Sequence, residues 1–160
     1  MDAPAAPERW REQWDRLGRR YNRFQELNQG IVHEVPSEHY VDDVLSFFMD
    51  CWHLKDWLRN DPASGLTKDE LDEMTLGSNN LRLCADLANG TKHLKLTHWK
   101  AAPDARFGPR HYAVGLSVGE PTTIAVKATV AAGNNAYDAF ELGTACVEEW
   151  KAFLSQKGLL

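Results

Sequence analysis

At 160 residues the chain has single-domain length and can bury a core without disulfides or a structural metal. Its 43% hydrophobic and 26% charged residues exclude a low-complexity or disordered polypeptide, and a net charge of −5 argues against a generally cationic nucleic-acid binder. Cys51, Cys84 and Cys146 are odd in number, far apart and free of CxxC spacing. That argues against disulfide, zinc-finger and thioredoxin-type frameworks and suits buried thiols in a reducing cytoplasm, the expected location.

Residues 1–7 carry neither a basic stretch nor an apolar core, so they predict a disordered leader rather than a signal peptide. Residues 8–160 form one expected domain. Helix 1 is predicted from about Glu8 to Asn28. Trp10, Trp14, Leu17, Tyr21, Phe24 and Leu27 recur at intervals of three and four on one face. Between Glu8 and Arg23 six arginines stand against Glu8, Glu12 and Asp15. They make either a basic stripe or an ordinary solvated face. Asn28-Gln29-Gly30 stops the helix.

Pro36-Ser37 opens helix 2, with Ser37 as the expected N-cap, and Asp61-Pro62 closes it near Asn60. Thr67 caps a short acidic helix from Lys68 to Thr75. Gly77-Ser78 separates that from helix 4, predicted from about Asn79 to Ala88 with a continuation toward Leu96. After Pro103 the period changes to two. Tyr112, Val114, Leu116 and Val118 alternate with smaller or polar residues, as do Ile124, Val126, Ala128 and Val130. Joined through Gly119-Glu120-Pro121, these predict a β-hairpin at about 110–132. An isolated hairpin is marginal in water, so it must lie on the helices or pair with another chain. A last helix, about Asp138 to Gln156, carries Phe140, Val147, Trp150 and Leu154 on one side. The expected fold class is mainly α: a four- to five-helix bundle with a β-hairpin before the C-terminal helix. No run approaches the roughly 18 apolar residues of a membrane span, so no membrane contact is expected.

Two polar clusters interrupt the apolar helices. On helix 2, His53, Asp56 and Asn60 share a face beside Trp57. On helix 4, Arg82, Asp86, Asn89 and His93 share another. Two such stripes on neighbouring helices predict a shared network, with Asp86 or Asp56 pairing with a histidine or with Arg82. A network of this kind either fixes helix register or performs chemistry. His transfers protons near neutral pH. Lys92 stabilises a developing anion, Asn89 holds an imidazole or a substrate oxygen, and Asp56 orients His53. That set of His93, Lys92, Asn89, His53 and Asp56 is the equipment of a metal-independent ribonuclease, needing no cofactor. A rival assigns His53, Asp56 and His93 to a metal, although no HExxH or ExxH pair is present. His33, His39, His98 and His111 are expected on the surface. No nucleophile elbow, reactive-cysteine signature or glycine-rich phosphate loop occurs.

The run Cys51-Trp52-His53-Leu54-Lys55-Asp56-Trp57-Leu58, followed by Ala88-Asn89-Gly90-Thr91-Lys92-His93-Leu94, resembles a group of uncharacterised bacterial proteins. In that group an HxxDW helix precedes an ANGxKHL segment, a hairpin and a Trp-containing C-terminal helix. More distantly, the helical part resembles HEPN domains, the helical ribonucleases of toxin–antitoxin and antiviral systems. Asn89 and His93 match the Asn and His of their motif. Ala88 stands where their arginine would be. Arg82 does not substitute, because eleven residues of helix separate it from His93 by about 16 Å. The resemblance implies RNA cleavage, RNA as substrate and a two-fold homodimer with both motifs at its interface. The alternative is a non-catalytic interaction or scaffolding subunit with a protein partner, antitoxin-like or part of a complex. A small metal-dependent hydrolase stands third.

Overall fold

A computed structural model describes residues 7–92, 98, 100–101 and 104–160. The predicted leader falls almost wholly outside the described residues. The protein is mainly helical, with five α-helices and a small antiparallel sheet among the described residues.

Helix α1 (Trp10–Gln29) buries Trp10, Leu17, Phe24 and Leu27 and leaves Trp14 and Tyr21 half-buried, as the three–four spacing predicts. It ends at Gly30, whose φ of 124° lies in the region that favours glycine and whose N–H donates to the Glu26 carbonyl at 2.8 Å. Helix α2 (Ser37–Asn60) presents Val44, Phe47, Phe48, Cys51, Leu54 and Leu58 to the core. Pro36 stands at its N-cap position and Ser37 is its first residue, without a side-chain cap bond. Pro36 is extended there, with φ −53° and ψ 144°. The chain then turns through Pro62–Ser64 into α3 (Lys68–Gly77), opened by a reciprocal Thr67–Glu70 capping box. Ser78 caps α4 (Asn79–Gly90), and Asp138 caps α5 (Ala139–Gln156) by accepting from the Glu141 N–H at 2.9 Å.

Helices α1, α2 and α5 meet at an aromatic cluster of Tyr21, Phe24, Phe47, Phe48 and Phe140, with rings at tilted, stacked and edge-on distances of 5.1–6.1 Å. Gly143 makes this approach possible. A Cβ there would stand 2.7 Å from the Phe47 ring and 3.2 Å from Phe24.

Strand β2 (Arg106–Gly115) pairs antiparallel with β3 (Thr123–Ala132), with Tyr112 opposite Val126 and Val114 opposite Ile124. The ladder slips between Phe107 and Arg110. Gly108-Pro109 lies in that slip, where proline's missing N–H costs no ladder bond. Two further strands flank β3: β1 (Ile31–Val32) and β4 (Asn135–Asp138). Neither was predicted, because two to four residues are too few to show a period. β3 is buried over most of its length and packs against α1 and α5, while β2 meets α4 and sets Phe107 against Phe48 of α2. No helix of the described residues is long and apolar enough to cross a membrane.

Candidate functional site

Polar side chains on the two clusters have definite partners, and these differ from the expected shared network. Asp86 is fully buried. Its two carboxylate oxygens accept the backbone N–H groups of Lys100 (2.7 Å) and Ala101 (2.8 Å). The carboxylate therefore anchors the chain leaving α4, and two charge-assisted bonds offset its desolvation. Asp56 is exposed. It lines a surface groove of about 410 Å³ with Arg9, Trp57, Asn60, Asp61 and Pro62. Asn60 donates to the Asp56 backbone carbonyl at 2.8 Å, a bond within one helical turn. Among the described residues no hydrogen bond or ion pair joins His53 or Asp56 to Arg82, Asp86 or Asn89. The two stripes have separate partners because Asp86 turns to residues 100–101 and Asp56 turns to solvent.

Lys55 is also committed elsewhere. It pairs with Asp72 of α3 at 2.5 Å and lies 5.2 Å from the centre of the Trp52 ring. Lys68 joins the same carboxylate at 2.5 Å. The two ammonium groups, Lys55 first, hold Asp72 down at about 2. Asp61 accepts the Trp10 N–H at 2.9 Å and the Ala63 N–H at 3.0 Å, and the bond from Trp10 depresses its pKa most. It thus ties the start of α1 to the end of α2.

The arginines of α1 resolve similarly. Arg20 pairs with Asp50 at 3.0 Å, Arg23 with Asp43 at 3.0 Å, and Arg11 with Glu8. Arg16 lies over the Trp57 ring and bonds Gln13, which is itself buried and donates to the Asp50 carbonyl. Much of the expected basic stripe is the seam between α1 and α2.

At the end of α4, Asn89 is half-buried and Lys92 exposed. The α-helix stops at Gly90, and the Thr91 hydroxyl donates to the Ala88 carbonyl. His93 and the expected continuation to Leu96 lie outside the described residues. A surface hollow beside this end is lined by Leu45, Leu87, Gly90, Thr91, Arg106 and Phe107, among others.

Two features escaped the sequence. The first is a convergence of thiols. Cys51 of α2, Cys84 of α4 and Cys146 of α5 are buried, and their sulfurs all lie within 4.8 Å of one another. Among the described residues this is the group of metal-capable donors that meets; His53 and Asp56 join no such group. Each cysteine sits on an apolar helix face, which the sequence does show, but their convergence depends on helix registers that no local pattern encodes. The second is the exposure of apolar residues along β2 and the turn that follows it. Tyr112, Val114, Leu116 and Val118 are exposed, the last three at 58%, 77% and 105%. The alternation predicted a strand and left open what would cover it.

No family model matches the chain, and no curated protein or solved structure does either.

Proposed function

We propose that this protein is a non-catalytic interaction subunit, a helical bundle whose β2–β3 hairpin is its docking arm, with a second copy of the chain as the occupant. One observation carries this. The face that β3 buries with Ile124 and Val126 continues onto β2 as Val114 and Tyr112, and there it is open to solvent. Among the described residues β2 pairs with β3 alone, which leaves its other edge unpaired. An unpaired strand edge beside exposed apolar side chains invites strand addition. Antiparallel pairing of two β2 edges would satisfy both edges by one two-fold operation. Sedimentation velocity over a concentration series tests it. The parent chain is expected to sediment as a dimer and Val114→Asp as a folded monomer. A parent that stays monomeric throughout overturns the self-association.

A second function, metal-independent RNA cleavage of the HEPN type, keeps one observation in its favour. Asn89 and Lys92 stand at the solvent-open end of α4, and Arg106 lines the hollow shared with Gly90 and Thr91. In this function His93 is the acid–base group and Lys92 stabilises the anion. His93→Ala should lower cleavage by roughly 10²–10⁴-fold while the melting temperature holds. A parent chain that cleaves no RNA removes this function.

A further inference from the structure

We propose that Cys51, Cys84 and Cys146 form a binding site for a trivalent thiophilic metalloid, with arsenous acid as its representative ligand. Three sulfurs from three different helices lie within 4.8 Å of one another, a spacing that small side-chain rotations close onto one central atom. No His, Asp or Glu joins them among the described residues. Structural zinc sites take four ligands, and a buried site offers no water as the fourth. The donor set therefore fits a three-coordinate, all-sulfur centre.

Charge selects among the thiophilic ions. Three thiolates carry three negative charges. A monovalent ion would leave two of them, and a divalent ion one, inside an apolar core. Burying such surplus charge is costly. A trivalent centre leaves none. In the exchange three S–As bonds form and three As–O bonds break. Each departing hydroxide leaves with a thiol proton as water, so three thiols and one arsenous acid give a neutral tris-thiolate and three waters, with no change of oxidation state.

The surroundings favour reaction at this spot. The Trp150 Nε1–H is buried without a hydrogen-bond partner. The Cys84 thiol donates to the Phe48 carbonyl at 3.4 Å and the Cys146 thiol to the Asn80 carbonyl at 3.5 Å. Both are weak bonds that coordination can break.

The test uses the full chain, reduced with a non-thiol reductant, in its native form and after refolding in arsenous acid. Native mass spectrometry should show one arsenic bound and three hydrogens lost, and the melting temperature should rise. Arsenic-edge X-ray absorption of the parent should report three sulfur neighbours and no oxygen. Cys51→Ala, Cys84→Ala and Cys146→Ala should each abolish that signature. Cadmium should bind more weakly and release protons, because it leaves charge behind. The proposal is overturned by failure to bind in both preparations, by a shell containing oxygen, by equal binding in the alanine variants, or by tighter binding of cadmium. The absorption measurement on the parent stands even where an alanine variant fails to fold.

Discussion

Val126 and Val114 occupy the same face of neighbouring strands, and one is 1% exposed while the other is 58% exposed. Residue type does not explain the difference. Val126 shares a hollow with Val41, Val44 and Leu45 of α2; Val114, on the neighbouring strand, is open to solvent. The same alternation therefore yields core at one strand and an open apolar surface at the next. The helical half of the molecule shows the opposite economy. Its buried Asp86 and Gln13 have partners, and Arg20 and Arg23 of α1 pair with acidic residues of α2.

The sharpest way to break this comparison is to place the same charge at both valines. Val126→Asp buries an uncompensated carboxylate and should cost about 3–5 kcal/mol. Val114→Asp should stay within about 0.5 kcal/mol of the parent in the monomer, as surface substitutions do. Denaturant midpoints measure both. Similar losses at the two positions would mean that β2 is covered.

Asp86→Ala comes next in size. It leaves two backbone N–H groups without their acceptor, and about 2–3 kcal/mol should be lost, read as a lower melting temperature. The effect should be confined to stability. A specific loss of RNA cleavage with an unchanged melting temperature would instead return Asp86 to a catalytic network.

Gly143→Ala sets two terms against each other. Overpacking against Phe47 costs about 1–3 kcal/mol, and replacing a helical glycine recovers about 1 kcal/mol. A net loss near 1 kcal/mol is expected by thermal unfolding. A gain would show that the aromatic cluster has room to shift.

The smallest effect concerns pH. Asp72 and Glu70 are both held at about 2, Asp72 chiefly by Lys55 and Glu70 chiefly by Lys157. Ordinary carboxyl values lie near 4. Depressed folded-state values mean that these pairs stabilise the fold above about pH 4, and that this stability drains away as pH falls toward 2. Lys55→Met should flatten that acid limb slightly, and salt should do the same because the pairs face solvent. Melting temperatures at several pH values and two salt concentrations provide the check.

The helices were legible because their signals are local. The face of α1, the stop at Asp61-Pro62 and the Thr67 cap depend on residues within a turn of one another. The strand alternation was equally plain. What the chain did not disclose were relations between elements. Asp86 looked like a network member because its helix face is polar, yet its partners are backbone groups fourteen and fifteen residues later, which no side-chain pattern announces. The arginines of α1 looked like an external stripe because their acidic partners, Asp43 and Asp50, lie on another helix. The cysteines looked solitary because their separations in sequence exceed thirty residues and only packing unites them. His93 carried the catalytic expectation and lies outside the described residues, so that part of the candidate site rests on sequence.

Hydrogen exchange along β2 tests the central claim most directly. The amides of an edge strand alternate between those that point at β3 and those that point away. If a second copy pairs with β2, the outward amides of Arg110–Gly115 should gain protection as protein concentration rises, and lose it in Val114→Asp while the inward set stays protected. Outward amides that exchange freely at every concentration would contradict docking through this edge by a second copy.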